Sequence, residues 1–277
     1  AGWNLWGSAA GTLRGQGVNI LLNIFFGPVI NAASGISYQV SGAMNLFVVN
    51  FQMAMNPQII KSYAVEDLKY MHQLIYQGAK YSFFLLFTLT LPILFETQYI
   101  LKLWLNIVPE YTAVFTKLVI INVLIDSVSG PLMTAAQASG KIKLYQSVVG
   151  GLLVLNLPIS YLFLKTGLTP EVTLYVSIGI SIIALYARLK IISPLVNLNI
   201  FDFFKTVIML IIPVVLVAFI LPVLVYLSLE ESFLRLLLTC LASILSALIT
   251  IYYIGLGKTE QEFMNRKLKE FTHKVKS

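Results

Sequence analysis

Two ionisable side chains stand where such groups are costly. Arg14 lies in the middle of one apolar run and Asp126 in the middle of another. At the centre of a bilayer each costs at least about 2.5–3.5 kcal/mol on insertion scales, so each is expected to face protein or water and to be paired. Arg14 could bind an anion, or form half of a structural charge pair. Asp126 could couple to a proton or a cation; it could also serve Arg14 as a partner, or cap a helix beside Pro131. Amides and hydroxyls recur near them at helical spacing. Ser34, Tyr38, Ser41, Asn45, Gln52 and Asn56 fall within about 60° of one another at ~100° per residue. Asn122, Asp126, Ser129 and Gln137 form a second stripe. Asn4, Ser8, Thr12, Asn19 and Asn23 form a third, within about 100°. Arg14 projects roughly opposite this third stripe, beside Gly7 and Gly11.

Amides in hydrocarbon are costly without partners. Three full-length stripes predict helices that face each other across a wet cavity, with interhelical hydrogen bonding as the bland alternative. The candidate substrate-binding residues are therefore Arg14, Asn45, Gln52, Asn56 and Asn122, and the candidate ion-coupling residue is Asp126. Either Arg14 or the stripe of its helix faces the cavity, and both remain open. Other chemistry is sparse. Cys240 is the single cysteine and sits in an apolar run, where it reads as a small buried hydrophobe. His72 and His273 lie outside the spans. There is no metal-ligand spacing, nucleotide loop or nucleophile–base constellation, so neither an enzyme nor a cofactor is expected.

The elements that must position these residues are membrane helices. Of 277 residues, 58% are hydrophobic and 11% charged, and mean hydropathy is +0.84. A soluble domain is nearer a quarter charged. A bilayer core takes roughly 20 apolar residues per helix. About eight such runs are present: 4–26, 33–57, 76–95, 113–136, 144–164, 171–189, 206–227 and 233–255. The expected fold class is an all-α polytopic helix bundle. The last two runs are almost purely Leu, Ile, Val and Ala, and suit lipid or packing. Gly27-Pro28, Pro109-Glu110, Gly140-Lys141, Gly167 to Pro170, Pro194 and Glu230-Glu231 carry loop chemistry. Pro57, Pro92, Pro131, Pro158, Pro213 and Pro222 fall inside spans and should kink them.

Net charge is +7, which the positive-inside rule explains without nucleic acid. Lys61, Lys69, Lys80, Lys141, Lys143, Arg188, Lys190 and Lys205 fall in one set of loops. The tail adds Lys258, Arg266, Lys267, Lys269, Lys274 and Lys276. The other set holds Lys102, Lys117, Lys165 and Arg235 with Glu96, Glu110, Glu171, Glu230 and Glu231. The first set is expected to be cytoplasmic, with both chain ends inside. Tyr99, Trp104 and Tyr111 gather in the 96–112 loop as an outer aromatic belt. The tail from about Lys258, with Phe263, Leu268 and Phe271, reads as a short surface helix or a solvated tail. The chain opens at Ala1 almost directly in a span, without a signal-peptide pattern, so a preceding N-terminal part is expected.

Several motifs occur in order along nearly the whole chain. They are Gly2-Trp3-Asn4-Leu5-Trp6-Gly7 with Asn23-Ile24-Phe25-Phe26-Gly27-Pro28, and Val49-Asn50-Phe51 through Asn56-Pro57-Gln58. Then come Leu103-Trp104-Leu105 with Val108-Pro109-Glu110-Tyr111, Ala138-Ser139-Gly140-Lys141-Ile142-Lys143, and Leu157-Pro158-Ile159-Ser160. In these the chain resembles the bacterial polysaccharide flippases of the MOP superfamily, the O-antigen and exopolysaccharide exporters related to MATE antiporters. The resemblance implies two six-helix lobes and two extra helices. Residues 1–200 would be the second lobe, 201–257 the extra pair and 258–277 a cytoplasmic tail; the first lobe would be the missing N-terminal part. The implied activity is ion-coupled, alternating-access transfer of a polyprenyl-pyrophosphate-linked oligosaccharide across the bacterial inner membrane, for surface polysaccharide synthesis. The implied partners are that lipid-linked oligosaccharide, the lipid bilayer, and polymerase and export machinery. Arg14 would hold the pyrophosphate, the stripes would shelter the sugars, and Asp126 would sense a proton or sodium gradient. Two competitors are a MATE-type small-molecule exporter, which would want more acids, and a membrane polysaccharide polymerase or ligase, which would want catalytic groups in a long outer loop.

Overall fold

The computed structural model describes the backbone of residues 2–276. The side chains of Asn4, of residues 268–269 and of residues 271–276 lie outside the described residues. So do the expectations for Asn4, Leu268, Lys269, Phe271, His273, Lys274 and Lys276.

The described chain is helical, without strands. In order run α1 (Gly2–Phe26), α2 (Pro28–Ala64), α3 (Leu68–Leu105), α4 (Thr112–Ser127), α5 (Gly130–Ala138), α6 (Ile142–Val154), α7 (Asn156–Lys165) and α8 (Val172–Val196). There follow α9 (Ile200–Phe203), α10 (Met209–Ala218), α11 (Ile220–Ser228), α12 (Phe233–Thr250) and α13 (Lys258–Lys276). A π-helical turn precedes α10 and another follows α12.

Local chemistry sets the boundaries. Gly27 separates α1 from α2 at φ 80, and Pro28 opens α2 with the φ a first helical residue needs. The Asp67 carboxylate accepts from the Tyr70 N–H and caps α3. Ser232 caps α12 the same way, accepting from the Arg235 N–H. Asn197 ends α8 in the left-handed conformation.

Five of the six prolines expected to kink spans divide into two groups, and the sixth, Pro158, is the third residue of α7. Pro57, Pro92 and Pro213 lie inside continuous helices. Pro131 and Pro222 instead follow breaks, after Ser127 and after Ala218. Proline cannot donate to the carbonyl four residues back. In both cases another helix satisfies that carbonyl. Gln52 Nε2 donates to the Ser127 carbonyl at 3.0 Å, and Ser246 Oγ donates to the Ala218 carbonyl at 3.0 Å.

Among the described residues six helical segments are long and apolar enough to cross a membrane: Leu68–Leu105, Thr112–Ala138, Ile142–Lys165, Val172–Val196, Ile200–Ser228 and Phe233–Gly255. The chain is thus an all-α, membrane-type bundle. The expected eight is six by these measures. α1 and α2, of 25 and 37 residues, have the length, but amides, hydroxyls and glycines dilute their hydropathy.

The core is built around α3. Met71, Ile75, Leu86, Phe87 and Leu91 are fully buried there and join residues from α2, α4, α5, α8, α10 and α12 in one cluster. A smaller cluster of Val18, Leu22, Ile30, Phe115, Val119 and Leu174 closes α1, α2, α4 and α8 at one end. The most apolar segment, Ile200–Ser228, packs on α3 through an aromatic ring. Phe219 lies 6.1 Å from Phe87 and 5.4 Å from Phe95, centroid to centroid.

Helix length corrects several placements. α3 has 38 residues, nearly twice the expected 76–95. Lys80 and Glu96 are therefore buried helix residues rather than loop charges. The expected outer loop 96–112 is helical as far as Leu105, so Tyr99 and Trp104 are on a helix. Arg188 is eight positions inside the end of α8 and Arg235 is buried in α12. The tail is the helix α13.

Candidate functional site

Arg14 points into the bundle, and its partners come from two other helices. Its Nη2 donates to Asn122 Oδ1 at 2.9 Å, to Ser181 Oγ at 2.9 Å and to the Ser177 carbonyl at 3.1 Å. Its Nη1 donates to Asp126 Oδ2 at 3.4 Å. Asn122 and Asp126 are one turn apart on α4, hence on one face. Asn122 Nδ2 also donates to Asp126 Oδ2, at 3.1 Å, and Ser181 Oγ donates to Asn122 Oδ1 at 3.0 Å. Asn156, at the start of α7, donates to Ser177 Oγ and so extends the network to a fourth helix.

A second guanidinium approaches the same carboxylate from the other side. Arg188 Nη1 lies 3.9 Å from Asp126 Oδ1 and donates to Ser129 Oγ at 2.9 Å. The two arginine side chains are 13% and 11% exposed, and Asp126 is 32% exposed. Asp126 Oδ1 and Arg188 Nε are buried without a hydrogen-bond partner among the described residues. Two cations thus share one anion at this depth. Beside Arg14 is a cavity of about 180 Å³ lined by Gly11, Gly15, Tyr38, Val119, Asn122 and Ser177, among others.

Half of the polar stripe of α2 is engaged in interhelical hydrogen bonds. Ser34 Oγ donates to Asn19 Oδ1 at 2.9 Å. Gln52 Nε2 donates to Ser82 Oγ and to the Ser127 carbonyl, each at 3.0 Å. Thr134 Oγ1 donates to Asn56 Oδ1 at 2.8 Å. Asn45 is exposed and lies apart from these. The structure therefore brings Arg14, Asn122 and Asp126 together. It places Gln52 and Asn56 along the α2–α5 contact, and Asn45 on the outer surface.

That surface answers the question about Arg14. Arg14 faces the bundle; of the described stripe on its helix, Ser8, Thr12 and Asn23 face out, whereas Asn19 is half-buried and accepts from Ser34 of α2. Ser8, Thr12, Gln16 and Asn23 are exposed on α1, as are Gln39, Asn45 and Asn50 on α2. α1 and α2 pack on one another, so a membrane-type bundle carries an amide-rich exterior on two adjoining helices.

Sequence reasoning missed Arg188, Ser177 and Ser181. Arg188 sits near the end of an expected span and read as a loop cation. The serines of α8 recur at Ser177 and Ser181, one turn apart, and that spacing was the available signal. It also missed two ion pairs. Glu96 receives Arg235 Nε and Nη2 at 2.9 Å each and Thr239 Oγ1 at 3.1 Å. Glu260 of α13 accepts from Lys80 Nζ at 2.7 Å and from the Gly257 N–H at 2.8 Å. Burial works against the Glu260 charge, but hydrogen bonds from Lys80, Tyr81 and Gly257 outweigh it and hold the carboxyl below its usual range.

Comparison of the chain with protein-family models, with curated proteins and with solved structures finds no match.

Proposed function

We propose that this protein is a transporter that moves a polyprenyl-pyrophosphate-linked oligosaccharide across a bacterial inner membrane, rather than an enzyme. One observation carries the transport reading: the exposed amides of α1 and α2. Lipid gives Gln16, Asn23, Gln39, Asn45 and Asn50 no hydrogen-bond partners, and unpartnered amides in hydrocarbon cost several kcal/mol. Such a face belongs against water or a second polar protein surface. In this reading α1 and α2 also cross the membrane and form one wall of a wet, sugar-compatible cavity. The second wall would come from a preceding lobe. The C-terminus would lie in the cytoplasm, on the side where the loop lysines gather. The family resemblance supplies the substrate class.

In this reading the roles divide differently. Sugar contacts fall to Asn45 and the other exposed amides. Arg14 and Asn122 stand behind that wall and hold Asp126, which makes the three a coupling unit in this reading. Protonating Asp126 would remove the anion between two guanidiniums and loosen α1 from α4 and α8. Coupled movement of bundle helices is what alternating access requires.

The test is genetic. The full-length protein is expressed in a bacterium whose own polysaccharide flippase is deleted, and surface polymer and inner-leaflet lipid-linked sugar are measured. Restored polymer, reduced by Asp126→Asn, is the expected result. Persistent accumulation inside, together with raised resistance to cationic dyes, would replace the flippase with a MATE-type exporter.

A further inference from the structure

We infer that the bundle holds a small monovalent inorganic anion, of the halide kind, in the cavity beside Arg14. The first argument is a charge count. Among the described residues the charged side chains that meet at the junction of α1, α4 and α8 are Arg14, Arg188 and Asp126. Other cations on the surrounding helices, Lys61, Lys117, Lys143, Lys165 and Lys190, are all exposed. One carboxylate therefore faces two guanidiniums that are 13% and 11% exposed. The surplus of one positive charge sits on two largely buried guanidiniums, and a charge so placed calls for a counter-charge.

The second argument is a place to put it. The cavity of about 180 Å³ borders Arg14, Tyr38, Asn122 and Ser177. Gly11 and Gly15 border it, and a Cβ at either would meet no atom within 4 Å. A water molecule takes about 30 Å³ of liquid, so the volume has room for one halide and a few waters. The third argument is the lining chemistry. Arg14, Tyr38 and Asn122 all carry N–H or O–H donors, and Asn122 Nδ2 places only one described hydrogen bond, on Asp126. Neutralising a surplus of one charge takes one monovalent anion; a divalent phosphate would overshoot. The inference is independent of what the protein transports, because the site lies behind the amide-bearing face of α1.

Charge logic gives the test its signs. The full-length protein is purified in detergent and its melting is followed in sodium chloride against sodium gluconate at equal ionic strength; binding of radiolabelled chloride is measured directly. Chloride and bromide should raise the melting temperature by about 3–5 °C in a saturable way, as a ligand of the folded state does. Labelled chloride should bind near one per chain. Arg188→Gln abolishes the surplus and should weaken chloride binding at least tenfold. Asp126→Asn doubles the surplus and should tighten it. Lys165→Gln, on the surface, should leave it unchanged. Equal melting in the two salts with no bound chloride overturns the inference, as does binding that survives both Arg14→Gln and Arg188→Gln. If those variants fail to fold, the stoichiometry in the unaltered protein still decides.

Discussion

Glu96 and Arg235 stand 139 residues apart in sequence and meet through two hydrogen bonds of 2.9 Å, with Glu96 almost wholly buried. The fork of the guanidinium matches the carboxylate, Thr239 takes a further contact, and Tyr226 lies under the guanidinium at 4.6 Å. The pair fixes α12 to the kink of α3, where Glu96 leaves helical geometry at φ −97, ψ 21. Removing one partner strands the other charge. Glu96→Gln should cost about 3–5 kcal/mol. The double replacement Glu96→Gln with Arg235→Met should recover most of that. Chemical denaturation of the four proteins in detergent, run as a double-mutant cycle, measures it; a single variant as stable as the parent would refute the pairing.

Close packing makes a second prediction. A Cβ at Gly255 would stand 2.7 Å and 2.8 Å from ring atoms of Phe84 and 3.2 Å from Val214. Phe84 is itself buried and cannot swing aside. Gly255→Ala should destabilise by about 1–3 kcal/mol through overpacking. Gly35→Ala in α2 meets nothing within 4 Å and should be neutral or stabilising by up to about 1 kcal/mol, from helix propensity. Melting temperatures of the two variants should separate in that order.

The amides of α2 should differ in accessibility. Asn45 is exposed, whereas Gln52 is bound between α3 and the end of α4. Single cysteines at Asn45 and Asn50 should react rapidly with a membrane-impermeant, water-soluble thiol reagent in a Cys240→Ala background. One at Gln52 should react at least about tenfold more slowly, a factor worth about 1.4 kcal/mol of protection. No reaction at Asn45 would place that face in lipid and remove the cavity wall.

The tail should detach in acid. Glu260 holds the start of α13 to Lys80, and its carboxyl lies below the ordinary value. A depressed carboxyl adds stability at all pH above its unfolded value, near pH 4.3, and that stability is lost as pH falls through the lower folded value. Hydrogen exchange of residues 257–265 should be slow and level from pH 7 to about 5, after correction for intrinsic rates, and should quicken below pH 4. Glu260→Gln should be fast already at pH 7.

How far all this could be read from the residues depends on distance in the chain. Arg14 and Asp126 were legible because each is a charge within an apolar run, and two such charges of opposite sign predict each other. Asn122 followed, one turn from Asp126. Arg188, Lys80 and Glu96 were not legible in the same way. Each lies close to the end of an expected span of ordinary length, where a charge has a cheap explanation at the membrane surface. The helices that hold them, α3 with 38 residues and α8 with 25, outrun the expected spans. Their partners, up to 180 residues away, leave no local pattern. The stripe of α2 shows the opposite difficulty. Its periodicity was correctly visible, but period alone does not separate a wall facing water from a seam of hydrogen bonds, and α2 contains both.

The side chain of Gln52 occupies the space that Gly130 leaves open, since a Cβ there would stand 2.1–2.5 Å from its amide. Proline at 131 withholds the bond that would have stiffened this point, and a glutamine from another helix restores it. The segment carrying Asp126 and the one carrying Thr134 thus meet at a break in the helical ladder that a side chain of α2 spans. The carbonyl freed at the break belongs to the residue after Asp126, so a shift of α2 along its own axis would leave that carbonyl without its partner beside the carboxylate that the two arginines share.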